Sequence, residues 1–322
     1  MIYKKLKSIF YNMVHKRCDP KEYLYYLRAE DYDGLIAKPV TIKSSKGHLL
    51  RGNLYHYDQK DLRDDRIIVF EHGMWSGHNS YMSEIEMLCR GGFVVLGYDH
   101  TGCFNSEGEE TYGFLQSLLD LNDVISYIRS EEKFNGLKIY VVGHSWGGFS
   151  AMNIGKIQKI DGFVSISGFI SLKAIINQNV PFFLPYSRKK LLEYEGQGSE
   201  YASLSGTSQP NDTKALFIHS RDDKMVKYKK HFKKLEKSLD NCQDVSFLVL
   251  DGKGHNPNYT DEALQAKAKM QKDLEKALKE GKLKTSEECK EFQEKYDWKK
   301  ITKQDKEIWD LIYNFLDEDY KE

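Results

Sequence analysis

The sequence predicts an α/β protein built on a doubly wound, mostly parallel sheet, and three observations carry that expectation. From Arg66 onward, short runs rich in β-branched residues alternate with stretches of helical period, the rhythm that lays helices on both faces of a parallel sheet. Ile139, Tyr140, Val141 and Val142 form a nearly continuous apolar run, as a strand buried on both faces requires. Hydrophobic residues make up 40% of 322, enough to fill a sizeable core in a large domain with insertions.

Charge and cysteine content exclude several classes. Lys+Arg and Asp+Glu are each 48, so no net field draws nucleic acid, and a neutral or mildly polar small molecule is the expected substrate. Cys18, Cys89, Cys103, Cys242 and Cys289 are odd in number, far apart and without C-x-x-C spacing. That argues against a disulfide framework or a zinc site and for a cytoplasmic protein. No apolar run approaches the roughly 18 residues a membrane span needs. Composition leaves the oligomeric state open.

At the N-terminus, Ile2, Leu6, Ile9, Phe10, Met13 and Val14 share one helical stripe with lysines opposite. The stretch lacks the uninterrupted apolar core of a secretory signal. It reads as an amphipathic helix docked on the body; the alternative is a weak contact of residues 1–17 with an anionic membrane surface. Val40–Lys43 and Leu49–Tyr57 alternate apolar and polar residues around Ser45-Lys46-Gly47, the pattern of an antiparallel hairpin at the sheet edge.

Strands follow at Arg66–Glu71, Phe93–Tyr98, Leu137–Val142 and Gly162–Ser167, separated by helices near Tyr81–Arg90 and Tyr112–Arg129. Gly168–Thr213 breaks the rhythm and reads as an inserted cap. Ala215–His219 and Val245–Leu250 resume the sheet, with a lysine-rich helix between them. Beyond His255, Thr260 starts a helix that Gly281 should end, and Thr285 with Glu288 is a capping-box signature for another. A closing helix is expected from Thr302 to Leu316. The chain thus divides into an N-terminal helical segment (1–39), a core (40–167 and 214–322), a cap (168–213) and a helical insertion at about 260–298. Leu264, Ala268, Leu274 and Leu278 would turn the insertion's apolar face toward the cap or sheet, as part of the rim of the site.

Gly143-His144-Ser145-Trp146-Gly147 matches G-x-S-x-G between a strand and a helix, a turn that exposes a serine hydroxyl above the sheet. A serine is a weak nucleophile at neutral pH, so it needs a base and a carboxylate to orient that base. Both should come from loops after later strands. Asp222 and Asp223 follow one such strand, and His255 follows another.

With these residues in place, the chain resembles the α/β-hydrolase superfamily, in its serine esterase, monoacylglycerol-lipase-like and prolyl-oligopeptidase-like branch, over roughly Val40 to His255 plus the closing helix. The resemblance implies an α/β-hydrolase fold. In the family's H-G-x-x-D-x-x-V pattern, counting back from Val226 selects Asp223, with Ser220 in place of the glycine and Asp222 as the alternative. The family's H-G-x segment corresponds to His72-Gly73-Met74, so Met74 and Trp146 would supply the oxyanion-hole amides. Asp99 corresponds to a loop anchor in a D-x-x-G-x-G-x-S-x-G pattern from which Cys103-Phe104-Asn105 departs. Trp75, Phe182 and Phe183 are expected to bind substrate. No cofactor is implied, and His72, His78, His100, His144 and His219 lack metal-ligand spacing.

The expected function is a serine hydrolase that cleaves a carboxylic ester through an acyl-enzyme, using Ser145, Asp223 and His255. A serine peptidase or amidase, and a non-catalytic ligand-binding scaffold, are the alternatives.

Overall fold

The computed structural model describes residues 2–58, 63–210 and 212–317. β1 (Leu35–Lys43) and β2 (Leu49–Tyr57) form the antiparallel hairpin; β3 (Arg63–Glu71), β4 (Phe93–Tyr98), β5 (Lys138–His144), β6 (Gly162–Ile166), β7 (Lys214–Ser220) and β8 (Val245–Leu250) follow. They make one eight-stranded sheet in the order β1-β2-β4-β3-β5-β6-β7-β8. From β4 to β8 every neighbouring pair is parallel, and β2 runs antiparallel to both β1 and β4. β1 begins at Leu35 rather than Val40 and contains Pro39, which a strand tolerates at the sheet edge because no ladder partner is missing its N–H.

The chain builds outward from β3 to β4 on one side and then crosses to β5 on the other. This reversal opens a crevice at the carboxyl ends of β3 and β5, where ligands bind in open α/β sheets. In β3 the run Ile67–Phe70 is apolar throughout because Ile67 and Val69 face one core and Ile68 and Phe70 the other, all fully buried.

The helices are α1 (Ile2–Phe10), α2 (Met82–Arg90), α3 (Gln116–Ser130), α4 (Trp146–Ile154), α5 (Leu172–Asn179), α6 (Pro185–Gly196), α7 (Phe232–Leu239), α8 (Asp261–Lys279), α9 (Ser286–Glu294), α10 (Trp298–Ile301) and α11 (Lys306–Leu316). α3 and α4 cover one face of the sheet; Ile85 and Leu88 of α2, with Trp309 and Ile312 of α11, cover the other. α3 starts later than hydropathy indicates because Tyr112 and Gly113 take left-handed φ values of 54° and 94°, which a helix cannot contain. The expected closing helix begins at Lys306 rather than Thr302. Tyr259 pairs with Gln304, and Asp305 N–H donates to Asn258 O, so the chain between α10 and α11 is drawn into an extended bridge.

The C-terminal insertion is closed by the expected signals. Thr260 Oγ1 caps α8 by accepting from Ala263 N–H at 3.1 Å, and Gly281 ends it with φ 72°. Thr285 and Glu288 make the reciprocal capping box of α9. Its own small core gathers Met270, Leu274, Phe292 and Ile301.

The N-terminal segment is docked on the body. Phe10 and Val14 are buried, and Tyr3 of α1 meets Tyr186 of α6 edge-on at 6.3 Å between ring centroids. Farther on, buried His15 bonds buried Glu195 at 2.9 Å, and Arg17 donates to the carbonyls of Phe104, Ser106 and Gly108. Cys18 and Cys103, far apart in sequence, face each other across a two-residue bridge. Among the described residues, no helix is long and apolar enough to cross a membrane.

Candidate active site

Sterics dictate the turn after β5. A Cβ on Gly143 would lie 2.3 Å from Gly147 O, one on Gly147 would lie 2.1 Å from Glu71 O, and one on Gly148 would lie 2.8 Å from Gly168 Cα. Only glycine fits these three places. The chain turns at Ser145, whose φ of 56° and ψ of −108° are strained for a residue with a side chain. Ser145 N–H donates to Ile166 O at 2.8 Å and its carbonyl accepts from Phe149 N–H at 3.1 Å, so strand and helix both hold the strained residue.

The loops after β7 and β8 bring an acid and a base to the same place. His255 Nδ1 lies 2.7 Å from Asp223 Oδ2, and the Asp223 carboxyl is shielded from solvent. Asp223 Oδ1 accepts from the amides of Met225 (2.8 Å) and Val226 (3.0 Å), which leaves Oδ2 for the imidazole. Asp222 turns the other way. Its Oδ1 accepts from Ser220 Oγ, Gly252 N–H at 3.0 Å and Gly254 N–H at 3.3 Å, tying the β7 loop to the loop that carries His255. Burial would raise the Asp222 carboxyl, but these hydrogen bonds outweigh it and hold the group below its ordinary range.

His144, just before the serine, holds the His255 backbone. Burial drives its pKa well below the ordinary value, so the ring is neutral with one proton. A carbonyl can only accept, so Nε2–H donates to His255 O at 2.7 Å and Nδ1 accepts from the Tyr81 hydroxyl at 2.9 Å. His72 does the same for the β3 loop. Burial lowers its pKa to about 4; its Nδ1–H donates to Gly73 O and its Nε2 accepts from His100 N–H. Gly73 lies so near the serine that a Cβ there would stand 3.5 Å from Ser145 Cβ. The next residue, Met74, lines the cleft with Ser145, and Trp146 opens α4, where helix N–H groups lack intrahelical partners. Asp99 anchors its loop by accepting from His78 N–H at 2.8 Å and Asn105 N–H at 3.1 Å.

Two cavities meet at Ser145, and they differ in chemistry. The first, of ≈ 490 Å³, is walled by His144, His255, Asn256 and, from α8, Leu264, Lys267 and Ala268. The second, of ≈ 280 Å³, is walled mainly by Met13, Phe114, Trp146, Phe169, Ile175 and Val226. Met74, Trp75 and Met225 line both. Ser145 Oγ makes no hydrogen bond to His255, although both face the first cavity. Resting sites are often loose in this way and tighten on substrate. Among the described residues, no group of three or more His, Cys, Asp or Glu side chains is placed to hold a metal ion.

Phe182 and Phe183, expected at the substrate site, line neither cavity; they are 80% and 67% exposed and touch each other edge-on. The reason is local. Arg188 donates to the carbonyls of Asn177 and Val180, closing the chain between α5 and α6 into a turn that carries both rings outward. Ile175 on the buried side of α5 lines the cavity instead. Trp75 is at the cavity wall, where its indole Nε1–H donates to Met13 O at 2.6 Å. In the insertion, Leu264 and Ala268 reach the cleft, Leu274 joins the insertion's own core, and Leu278 is 46% exposed. Met13, Tyr81 and Lys267 complete the site without a motif to announce them, although Met13 stood on a recognisable apolar stripe; His144 stood at a variable position of the G-x-S-x-G motif.

The insertion enters and leaves at one point, since Thr260 N–H donates to Lys303 O. Replacing residues 261–301 by a short Gly/Ser linker is therefore expected to leave the sheet folded and to alter kcat/KM across a series of leaving groups. The order of preference among acyl chains should persist, because the second cavity takes nothing from α8. A leaving-group profile unchanged in the folded variant would reduce the insertion to cover.

Residues 63–207 match the family described as serine aminopeptidase, S33. Among solved structures, the chain is similar to the Pyrococcus furiosus esterase Pf2001, with 21% identity over 76% of this chain and 91% of that one and a TM-score of 0.56. It is also similar to a putative α/β hydrolase from Agrobacterium tumefaciens (18% identity, 76% of this chain, 98% of that one, TM-score 0.50). An acylaminoacyl peptidase aligns over 70% of this chain and 38% of its own length, with 16% identity and a TM-score of 0.51. No curated protein matches the sequence. At these identities the likeness is one of fold.

Proposed function

We propose that this α/β-hydrolase cleaves a carboxylic ester, with Ser145 as nucleophile, His255 as general base and Asp223 as the carboxylate that orients the imidazole. The observation that carries the reading is His255, backed by buried Asp223, facing the cleft in which the strained turn presents Ser145. Ser145 Oγ attacks the carbonyl carbon while His255 Nε2 takes its proton. The developing oxyanion is received by the amides of Met74 and Trp146. Collapse of the tetrahedral adduct expels the alcohol, which takes the proton from His255, and water then repeats the sequence on the acyl-enzyme.

Proton delivery gives the two cavities their roles. The leaving group must lie on the side of the imidazole that protonates it, and His255 lines only the larger cavity. The acyl chain then occupies the smaller, apolar one. An aminopeptidase substrate would place its α-ammonium on this acyl side, beside the scissile carbonyl. Among the described residues no carboxylate lines that cavity, whereas Lys224 and Lys227 do, which favours an uncharged acyl group.

The test is a fluorophosphonate label together with p-nitrophenyl esters from acetate to palmitate, run beside aminoacyl-nitroanilides. Labelling of Ser145 with turnover of the esters is expected. An unlabelled serine with no turnover would favour the non-catalytic scaffold, and preferential cleavage of the anilides would favour the peptidase.

A further inference from the structure

We infer that the leaving group of the substrate carries an anionic oxygen group, a carboxylate or phosphate, and that Lys267 on α8 receives it. The inference rests on the assignment of the larger cavity to the leaving group, and it adds the substrate class. Lys267 is half-buried in the wall of that cavity. Its ammonium donates to Asn256 Oδ1 at 3.2 Å and stands 4.7 Å from the centroid of the Tyr259 ring. Asn256 directly follows His255, so the cation sits beside the base.

Among the described residues, no carboxylate lies within ion-pair distance of Lys267. Other lysines of the same segment do meet carboxylates. Lys253, in the same wall, is matched by Asp261 at 2.8 Å and Asp305 at 3.1 Å. Lys276 and Lys282 share Glu280 at the surface. Two carboxylates bear on the site of Lys267 without neutralising it. Glu84 attracts it from behind, but burial pushes the Glu84 carboxyl above its ordinary range, toward the neutral form. Asp222 lines the cavity, with its Oδ1 held by Ser220 and the amides of Gly252 and Gly254.

A partly buried ammonium without a counter-ion is costly, and burial accordingly lowers the Lys267 pKa. An anion entering the cavity removes that cost and gains a charge-assisted hydrogen bond. The balanced net charge of the whole chain, which pointed to a neutral or mildly polar substrate, sums over all surfaces and does not report one unmatched cation inside a cleft.

The decisive measurement is binding, because it does not depend on turnover. Calorimetric titration of the full chain with 3-hydroxybenzoate and with 3-hydroxybenzamide compares leaving groups of one shape with and without the charge. The benzoate is expected to bind at least about tenfold tighter, as one charge-assisted hydrogen bond allows. Lys267→Met keeps the aliphatic stem against Tyr259 and should bring the ratio near one, whereas Lys267→Arg should retain the preference. Lys267→Gln replaces the methionine variant if that one fails to fold by circular dichroism. Hydrolysis of 3-(butyryloxy)benzoate over 3-(butyryloxy)benzamide should follow the same pattern. Equal affinities in the unmodified protein, or a preference that survives loss of the charge, would overturn the inference. If Ser145 takes no fluorophosphonate and neither ester turns over, the hydrolase reading fails, while the titrations still decide whether Lys267 is an anion site.

Discussion

Replacing Ser145 by alanine is expected to lower kcat by about a millionfold, by analogy with serine-protease triads, which corresponds to roughly 8 kcal/mol of lost transition-state stabilisation. Folding should be untouched. Among the described residues the hydroxyl has no hydrogen-bond partner, so its removal leaves none stranded, and alanine meets the same positive φ as serine. The measurement is p-nitrophenyl ester turnover beside circular dichroism and a thermal melt. A folded alanine variant that kept most of its esterase activity would remove the turn after β5 from the chemistry.

Asp223→Asn is expected to cost about four orders of magnitude in kcat, and the hydrogen bonds say why. One side-chain oxygen must stay where the amides of Met225 and Val226 donate to it, so the new amide group falls opposite His255. An amide N–H there makes Nδ1 an acceptor and moves the ring proton to Nε2, the nitrogen that must take the proton of Ser145. Asp222→Asn keeps an acceptor for Gly252 and Gly254 and should cost about tenfold or less, through looser placement of the β8 loop. A larger loss at Asp222 than at Asp223 would reverse their roles without changing the reaction class.

Much of the fold was legible because backbone sterics and burial wrote it into residue type. The run Ile139–Val142 had to be a strand buried on both faces, and Gly143, Gly147 and Gly148 had to be glycine because other backbone occupies the space of a Cβ. The candidate site was legible only in part. Adjacent Asp222 and Asp223 have the same chemistry, and only the direction of their side chains separates the one that meets His255 from the one that clamps its loop. Phe182 and Phe183 misled because hydropathy records the preference of a side chain, while Arg188 fixes the turn that exposes them. Lys267 was one lysine among several on α8, and its distinction, a half-buried ammonium in the wall of a cleft, is a property of its surroundings rather than of the helix pattern.

The paired ends of the α8–α10 insertion bear on how such a protein diversifies. Asn258, Tyr259 and Thr260 on one side hold Lys303, Gln304 and Asp305 on the other, so the junction is a single clasp close in sequence to His255. A gene segment encoding another excursion of any length could be spliced into that clasp while Ser145, Asp223 and His255 kept their coordinates. Recognition of the departing group and the power to expel it would then be inherited separately, and selection could replace one as an exchangeable cassette without relearning the other.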